Sequence, residues 1–357
     1  MVKLVLAAGG TGGHIWPAIS FGQWLRKNKP DVLIEYVCGM RPMELEIYRS
    51  AGINPQILSL SGSPLSGGGI LKDTQRAFST VRSLGEAYRI LKSASPDCCL
   101  LFGGYISLPM LLVSLCTGTP AVMHEQNAYA GKVTRLASKL GADILTGWRE
   151  CPPLSAGKYT RIGVPVREFE VLDKNKAWKS LAISNDMPPG PKVLVLTGSL
   201  GSQQIKKMVC EIAAADKFKE WVFLLPAVAE KNEKADDNVY LLPQIWDTGL
   251  LYSIADMAVI RAGGSTLTEV SVTGIPSLVI PWRGAADDHQ YHNALAFMAE
   301  NSAVMWDGCG ETDEFARNLL KLYSIFKEKK KDSPFPKEYN SADRICRDLW
   351  LALSSHF

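Results

Sequence analysis

Short apolar runs alternate with helix-length segments along the whole chain, and this alternation constrains the fold more than any other feature. In the first half the runs predict strands at Leu4–Ala8, Val32–Val37, Leu100–Phe102, Ala121–Met123 and Ile144–Thr146. The second half repeats the pattern, with strands predicted at Lys192–Thr197, Val222–Leu225, Val239–Leu242, Met257–Ile260 and Ser277–Ile280. Strands separated by helices form parallel sheets. We therefore predict an α/β fold with a parallel sheet in each half.

Helices are predicted between these strands. They cover Pro17–Lys29, Leu71–Ser93, Gln203–Ala215, Thr266–Thr273, Asp288–Glu300 and Asp343–Leu353. Pro17 suggests a helix start, because Pro is favoured at the first helical position. The 26 residues from Cys98 to Met123 carry no charge and are long enough to cross a membrane. Glycines and prolines divide them, however, so we predict a buried strand, helix and strand.

Length and charge indicate two domains and exclude some partners. A chain of 357 residues can bury two cores, and Ile162–Pro165 is the predicted linker. We expect domains at 1–163 and 164–340, and a helix in 341–357 that returns to the first domain. The net charge of +3 argues against a nucleic-acid-binding chain. It is divided unevenly, with +7 on residues 1–163 and −4 on residues 164–357.

The cysteines and the first residues predict a reducing compartment. Eight cysteines are scattered without a C-x-x-C pair, which argues against metal knuckles and redox motifs. Several lie in apolar runs, where a free thiol packs as a small hydrophobe. The apolar run after Lys3 stops at Gly9, so we expect no signal peptide.

Glycine-rich turns follow several predicted strands. Three of them are Gly9–His14, Gly198–Ser202 and Arg261–Thr266. Glycines let the backbone approach a ligand closely, and a helix N-terminus offers N–H groups to an anion. The first turn is not the dinucleotide fingerprint G-x-G-x-x-G, because its third glycine would fall at Ile15. An NAD-dependent oxidoreductase is therefore disfavoured.

Glu269 lies one helical turn beyond the third of these turns, and two roles are open to it. Its carboxylate can accept hydrogen bonds from both hydroxyls of a ribose. It can instead support the start of its own helix in a capping box with Ser265 or Thr266. The residues alone leave this choice open.

Four of the five histidines lie in polar segments: His14, His124, His289 and His292. A metal site at the last two is disfavoured, because the spacing marks no third ligand. A hydrogen-bonding site for a polyhydroxy ligand fits these segments better, and a buried structural role stays open for His124 and His292. Together with the turns, they suggest an enzyme that handles a nucleotide-linked sugar.

Seven motifs follow one another along nearly the whole chain. They are Gly9–His14, Phe102–Ser107, His124–Asn127 with Ala130-Gly131, Gly163–Arg167, Gly198–Gly201, Arg261–Glu269 and Gln290–Asn293. In this order they resemble the MurG family of N-acetylglucosaminyltransferases, within glycosyltransferase family 28. The resemblance implies the GT-B fold, in which two Rossmann-like domains face a cleft. It also implies inverting transfer of GlcNAc from UDP-GlcNAc to the C4 hydroxyl of undecaprenyl-pyrophosphoryl-MurNAc-pentapeptide (lipid I), which forms lipid II in peptidoglycan synthesis.

The resemblance further implies which residues form the site. The donor would lie mainly in the C-terminal domain, and the matching positions are Thr11, Gly12, Gly13, Asn127, Arg167, Ser199, Ile245, Glu269 and Gln290. Ile245 would contact uracil through its backbone, and Glu269 would contact the ribose. The acceptor pyrophosphate would meet His14, Gly103, Gly104 and Tyr105. The chain departs from the family pattern around the donor sugar, at Ala128, Val164, His289 and His292.

Inverting transfer needs a base for the acceptor hydroxyl and charge relief for the departing UDP. His14 is the first candidate for the base, Glu125 is the alternative, and His124 is a weaker one. The departing diphosphate would meet N–H groups at the helix start after Ser199, with Arg167 as a possible cation. On this mechanism we expect no catalytic metal and no cofactor.

The lipid acceptor stays in a bilayer, so the resemblance implies a peripheral enzyme on the cytoplasmic face of the inner membrane. Residues 70–92 combine basic and apolar side chains, as an interfacial helix on anionic lipid does. An ordinary helix packed on the sheet is the alternative. We expect UDP-GlcNAc, lipid I, the anionic membrane surface and cell-wall synthesis proteins as partners, and no nucleic acid.

Three competing functions share the two-domain plan. They are a UDP-GlcNAc 2-epimerase-like isomerase, a glycosyltransferase with a diacylglycerol acceptor, and a non-enzymatic sugar-nucleotide-binding subunit. An isomerase would release an epimer from UDP-GlcNAc without any lipid acceptor. The presence of both halves and of His14 speaks against the binding subunit.

Overall fold

The structure is a computed structural model and describes residues 1–60, 62, 70–170, 172–183, 186–197, 203–301, 303–332 and 340–357. The strands are β1 (Lys3–Ala7), β2 (Leu33–Cys38), β3 (Gln56–Ile57), β4 (Cys98–Leu101), β5 (Ala121–Glu125), β6 (Asp143–Thr146), β7 (Thr160–Arg161), β8 (Lys192–Leu196), β9 (Val222–Leu225), β10 (Glu233–Asp236), β11 (Val239–Leu241), β12 (Met257–Ile260), β13 (Ser277–Val279) and β14 (Ala303–Met305). The helices are α1 (Gly12–Asn28), α2 (Pro42–Ser50), α3 (Ile70–Ala94), α4 (Ser107–Thr117), α5 (Lys132–Lys139), α6 (Lys174–Ser180), α7 (Gln203–Ala213), α8 (Thr248–Ile254), α9 (Gly264–Thr273), α10 (His289–Glu300), α11 (Thr312–Asp332) and α12 (Asn340–Leu353).

The chain divides into two compact units. Unit 1 comprises Met1–Arg167 and Asn340–Phe357, and unit 2 comprises Glu168–Tyr339. The first segment of unit 1 ends at Arg167, and Val164 and Val166 shortly before this end are buried. Within the described ranges, no helix combines the length and the apolar character needed to cross a membrane.

The sheet of unit 1 is parallel throughout and has the strand order β3-β2-β1-β4-β5-β6-β7. The order reverses between β1 and β4, and ligands of such sheets bind beyond the carboxyl ends of the strands at this switch. One core cluster includes Val5 and Ala7 of β1, Cys99 and Leu101 of β4, and Met123 of β5. The parallel sheet that was predicted for the first half of the chain is confirmed.

The uncharged stretch from Cys98 to Met123 forms β4, α4 and most of β5, as predicted. All four residues of β4 are buried, and Met110 and Leu111 of α4 are buried beside them. Gly118 ends α4 in the left-handed conformation, at φ +70°. A glycine there stops the helix without the steric strain that a side chain would bring.

The predicted start of α1 at Pro17 is wrong, because the helix begins at Gly12. Pro17 lies in its second turn and lacks the N–H that would bond the Gly13 carbonyl. The buried face of the helix offsets that loss, since Ile15, Ala18 and Ile19 are inaccessible to solvent. The earlier start places Gly12, Gly13 and His14 in the first helical turn rather than in a loop.

The C-terminal helix α12 packs on unit 1, as predicted. The Trp24 indole of α1 donates a hydrogen bond to Asp343 Oδ1 at 2.7 Å. Ile345 lies against Gly163, where an added Cβ would come within 2.8 Å of Ile345 Cγ1. Helix α12 therefore adjoins both α1 and the turn at Gly163.

The sheet of unit 2 has the order β10-β11-β9-β8-β12-β13-β14, and all pairs are parallel except β10 with β11. The parallel sheet predicted for the second half is thus confirmed. Its order reverses between β8 and β12. The turn after β12 begins at Arg261, whereas the turn at 198–202 after β8 lies outside the described residues. Trp221, Phe223 and Phe315 belong to the core of this unit.

Candidate active site

Two glycine-rich turns meet at the strand-order switch of unit 1. Gly9–His14 follows β1, and Gly103–Tyr105 follows the neighbouring strand β4. Gly104 has φ +75°, and an added Cβ there would come within 2.1 Å of the Gly9 carbonyl oxygen. The two turns are therefore in backbone-to-backbone contact, which only glycine permits.

Glu44 links these turns from beneath, a contact that the sequence did not reveal. The side chain is fully buried on α2. Its Oε1 accepts a hydrogen bond from the Gly10 N–H at 2.8 Å and another from the Tyr105 hydroxyl at 2.6 Å. A carboxylate that accepts from both turns fixes their relative position.

His14 lies in the first turn of α1, under the second glycine turn. An added Cβ at Gly103 would approach its Nδ1 within 3.1 Å. The His14 Nδ1 atom is hydrogen-bonded to Gln126 Oε1 at 2.8 Å. No described residue makes a hydrogen bond with its Nε2 atom, so this nitrogen is available to a ligand.

His124 and Gln126 form a buried polar pair behind His14. His124 Nε2 is hydrogen-bonded to the Gly163 carbonyl at 2.8 Å, and its Nδ1 to Gln126 Nε2 at 3.0 Å. Burial lowers the pKa of His124 from 6.5 to about 4, because a charged imidazolium loses its hydration there. His124 is thus a neutral, internally hydrogen-bonded side chain, which is the buried structural role that its sequence context left open.

Glu125 accepts hydrogen bonds on both carboxylate oxygens. Oε1 accepts from the backbone N–H and the side-chain amide of Asn127, each at 3.0 Å. Oε2 accepts from the Gly131 N–H at 2.9 Å and the Thr134 hydroxyl at 2.5 Å. This carboxylate, which is 4% exposed, holds together the loop between β5 and α5.

Two cations lie over aromatic rings near these turns. The Arg167 guanidinium is 4.0 Å from the ring centre of Trp16, and that of Arg41 is 4.8 Å from the ring of Tyr105. Thr11, the residue before α1, makes no side-chain cap and is exposed. The unit 1 positions named from the sequence thus gather at the ends of β1, β4 and β5.

Glu269 lies in unit 2, on α9 directly after β12. The capping-box role is wrong, because α9 begins at Gly264 with Gly263 as its cap and makes no side-chain cap bond. Glu269 stands too far along the helix to complete such a box. Its Oε2 accepts a hydrogen bond from the buried Tyr252 hydroxyl at 2.7 Å.

The other unit 2 positions lie on neighbouring loops. Gln290 Oε1 accepts from the Trp282 N–H at 3.0 Å, which ties α10 to the segment after β13. Ile245 is half-buried between β11 and α8, and Ser199 lies outside the described residues. His289 Nδ1 is bonded to the Ala286 carbonyl at 2.8 Å. Among the described residues, no three His, Cys, Asp or Glu side chains form a cluster that could hold a metal ion.

Comparison with known proteins gives the family. The model for the glycosyltransferase family 28 N-terminal domain matches residues 4–146, and that for the family 28 C-terminal domain matches residues 192–343. A relative from Pseudomonas putida is 32% identical over 316 residues, which are 85% of this chain and 83% of that protein. The chain belongs to glycosyltransferase family 28. The Pseudomonas member of family 28 carries the name UDP-N-acetylglucosamine--N-acetylmuramyl-(pentapeptide) pyrophosphoryl-undecaprenol N-acetylglucosamine transferase.

Two further comparisons extend the family 28 assignment along the chain. A relative of the same name from Desulforamulus reducens is 29% identical over 348 residues, covering 93% of this chain and 92% of that protein. The crystal structure of MurG from Acinetobacter baumannii superposes with a TM-score of 0.66 at 22% identity, covering 97% of this chain and 100% of that one. These similarities give the family 28 chain the two-domain GT-B architecture.

A solved structure of a putative UDP-N-acetylglucosamine 2-epimerase from Listeria monocytogenes has the same fold as this family 28 chain. It superposes with a TM-score of 0.67, covers 99% of this chain and 96% of its own, and is 13% identical. At that identity the likeness concerns the fold alone.

Proposed function

We propose that this protein transfers GlcNAc from UDP-GlcNAc to the C4 hydroxyl of undecaprenyl-pyrophosphoryl-MurNAc-pentapeptide and thereby forms lipid II. The observation that carries the proposal is the relationship, over 85% of the chain, to family 28 enzymes whose name states this transfer. The 2-epimerase alternative rests on a shared fold only. The diacylglycerol-acceptor alternative has no observation in its favour.

The two units have different roles in this proposal. Unit 2 binds the donor, with Glu269 on the ribose and the Ile245 backbone on the uracil. Unit 1 binds the acceptor, whose pyrophosphate meets the turns at Gly12–His14 and Gly103–Tyr105. Support comes from the position of both turns at the strand-order switch, where ligands bind in parallel sheets.

His14 is the general base of the proposed reaction. Its Nε2 atom removes the proton from the acceptor C4 hydroxyl while that oxygen attacks C1 of GlcNAc. The bond between C1 and the UDP oxygen breaks, its electron pair leaves with UDP, and the configuration at C1 inverts. A positioned base contributes ~10²–10⁴-fold to such a step. Arg167 is the candidate cation for the departing diphosphate.

Glu125 does not serve as the base in this proposal. Its two oxygens already accept four hydrogen bonds, three from the loop that follows it and one from Thr134 of α5. Neither oxygen could take up the proton of an acceptor hydroxyl without giving up one of these hydrogen bonds. We therefore assign Glu125 to the structure of the loop.

The decisive experiment is transfer of labelled GlcNAc to a lipid I analogue by the purified protein. We expect a lipid II product with UDP-GlcNAc and much less product with UDP-glucose or UDP-GalNAc. Incubation with UDP-GlcNAc alone tests the epimerase, which would form an epimer without acceptor. A free epimer and no lipid product would refute the proposed function.

The role of His14 is tested with His14→Ala. We expect turnover to fall ~10²–10⁴-fold while UDP-GlcNAc affinity changes little, because the base acts only in the chemical step. His356→Ala is the control, since that histidine lies at the end of unit 1 and pairs with Asp143 at 3.2 Å. Unchanged turnover in His14→Ala would remove the residue from this role.

Glu269 is best tested with Glu269→Gln and calorimetry of UDP binding. The glutamine keeps an oxygen that can accept from Tyr252, so the pair with that buried hydroxyl survives. It loses the negative carboxylate that accepts from two ribose hydroxyls, so we expect weaker UDP binding. Unaltered affinity would reject the ribose assignment.

Unit 1 is also proposed to rest on the cytoplasmic face of the inner membrane. Helix α3 packs Ala87, Leu91 and Ala94 into the core, yet Val81 is 68% and Tyr88 is 47% exposed. Its outer face also carries the exposed basic side chains Arg82, Arg89 and Lys92. An outward face that mixes apolar and basic groups fits anionic lipid.

Vesicle flotation tests this surface. We expect binding to vesicles with anionic lipid that weakens with salt, and weaker binding for the double variant Val81→Ser with Tyr88→Ser. Leu351→Ser is the matched control, because Leu351 of α12 is 60% exposed on the same unit. Binding that ignores both salt and lipid charge would refute the electrostatic part.

A further inference from the structure

We propose that Gln126 is a positioning residue, and that a chain of hydrogen bonds from the Gly163 carbonyl through His124 and Gln126 fixes the tautomer of His14. This series of hydrogen bonds places the His14 proton on Nδ1 and leaves a lone pair on Nε2, on the side where the ligand binds. This inference rests on the proposed function, because it gives His14 Nε2 the form a general base needs.

The Gly163 carbonyl sets the tautomer of His124. A backbone carbonyl can only accept, so the 2.8 Å bond to Gly163 requires a proton on His124 Nε2. Burial keeps this imidazole neutral, with a pKa of about 4. A neutral ring with a proton on Nε2 presents a lone pair at Nδ1. His124 Nδ1 is therefore an acceptor.

The two acceptor atoms of His124, Nδ1 and the backbone carbonyl, set the orientation of the Gln126 amide. Its Nε2 group donates to His124 Nδ1 at 3.0 Å and to the His124 backbone carbonyl at 2.8 Å. The reversed amide would bring its oxygen against two acceptors, which burial makes costly. The side chain is 2% exposed, and the Trp148 indole donates to the Gln126 carbonyl at 2.9 Å and anchors the backbone. Gln126 Oε1 must therefore point to His14.

The Gln126 Oε1 atom in turn sets the tautomer of His14. Gln126 Oε1 can only accept, so the 2.8 Å contact requires a proton on His14 Nδ1. In the neutral ring the lone pair is then on Nε2, the nitrogen without a hydrogen bond to any described residue. In the opposite tautomer the lone pair on His14 Nδ1 would face the lone pairs of Gln126 Oε1. His14 Nε2 would then carry a proton and could not accept one from the acceptor hydroxyl. A base held in the wrong tautomer loses most of its catalytic effect.

The direct test is the nitrogen chemical shifts of the His14 ring at neutral pH, in the protein without substrate. We expect a protonated Nδ1 and an unprotonated Nε2 in the natural chain. In Gln126→Met the acceptor is gone, so we expect a mixture of both tautomers. Gln23→Met, on the exposed face of α1, is the control and should keep the natural shifts. A proton on His14 Nε2 in the natural chain would overturn the inference even if every variant misfolds.

A kinetic test separates positioning from a general structural role. We expect Gln126→Met to lower kcat ~10-fold or more while the KM for UDP-GlcNAc stays within about twofold, since only the base is affected. In a His14→Ala background the same substitution should change kcat less than about twofold, because residues that act through each other are not additive. A loss of similar size in both backgrounds would overturn the inference.

The two tests also distinguish this inference from the proposed function. The chemical shifts need no substrate, so they report on the tautomer even if the protein transfers no GlcNAc. If transfer fails and the shifts are as expected, the proposed function is wrong and the tautomer assignment stands. If transfer succeeds and the shifts show the opposite tautomer, the assignment is wrong and the function stands.

Discussion

Replacing Glu44 by alanine removes the acceptor that the two glycine turns share. The carboxylate lies beneath both turns and accepts from the Gly10 N–H and the Tyr105 hydroxyl. In the variant both donors stay buried. A buried donor without a partner costs ~1–3 kcal/mol. The Tyr105 hydroxyl also reaches the Leu60 carbonyl at 3.2 Å, so its loss lies at the lower end of that range.

The cavity left by the side chain adds to this loss, whereas removal of Glu44 Oε2, which is buried without a hydrogen bond to any described residue, offsets part of it, so we expect a loss of about 2–4 kcal/mol in unfolding free energy. That is a large part of the ~5–15 kcal/mol that stabilises a typical domain. Glu46→Ala is the matched control, because Glu46 lies on the same helix and is exposed. A surface substitution of that kind changes stability by about 0.5 kcal/mol or less.

Urea unfolding of both variants gives the stability change, and hydrogen exchange locates it. Exchange should accelerate in the peptides that cover β1 with its turn and β4 with its turn. GlcNAc transfer should fall as well, since His14 belongs to the first of these turns. If Glu44→Ala and Glu46→Ala unfold at the same urea concentration, the shared carboxylate does not hold the turns and the reasoning is refuted.

Three further predictions concern the same site. Gly104→Ala should abolish folding of unit 1, because the added Cβ would come within 2.1 Å of the Gly9 carbonyl oxygen. Gly118→Ala is the control: Gly118 has a similar φ, but an added Cβ would meet no atom within 4 Å, so stability in urea unfolding should fall by only ~1–2 kcal/mol. Glu125→Gln should lower the thermal midpoint, since its amide turns an N–H₂ group towards donors; an unchanged midpoint would return Glu125 to the candidates for the base. Burial lowers the pKa of His124 from 6.5 to about 4 in the folded chain, so between pH ~6.5 and ~4 the unfolded chain binds a proton more readily than the folded one. Stability that is present above pH ~6.5 should therefore fall as the pH drops through this window. His124→Phe should make this fall smaller, as measured by the urea midpoint at each pH.

Much of the fold was predictable because buried strands of a parallel sheet are marked by their own composition. β4 is apolar throughout, and β1 and β5 contain the apolar runs Leu4–Ala7 and Ala121–Met123, so no distant partner is needed to recognise them. The start of α1 was not predictable in this way. Pro17 is typical of a first helical position, but the helix begins one turn earlier at Gly12-Gly13, and two consecutive glycines argue against a helix start in the sequence.

The site was predictable as a set of turns but not as a set of contacts. The glycines and His14 stand out as a motif, and the order of the strands brings their turns together. Glu44 stands in a helix that also carries exposed Glu46, and nothing nearby in the chain distinguishes the two. Its partners lie 34 and 61 residues away, so only the tertiary structure identifies it as a buried acceptor.

The four polar residues from His124 to Asn127 show why a motif cannot by itself assign chemical roles. Side chains alternate along a strand, so β5 directs neighbouring residues to opposite faces as it ends. His124 and Gln126 turn towards Gly163 and His14, whereas Glu125 and Asn127 bond to each other. The residue with the more obvious basic group, Glu125, thus has every oxygen engaged in its loop. The amide of Gln126, which cannot take up a proton at neutral pH, is the group that determines where the proton of His14 resides.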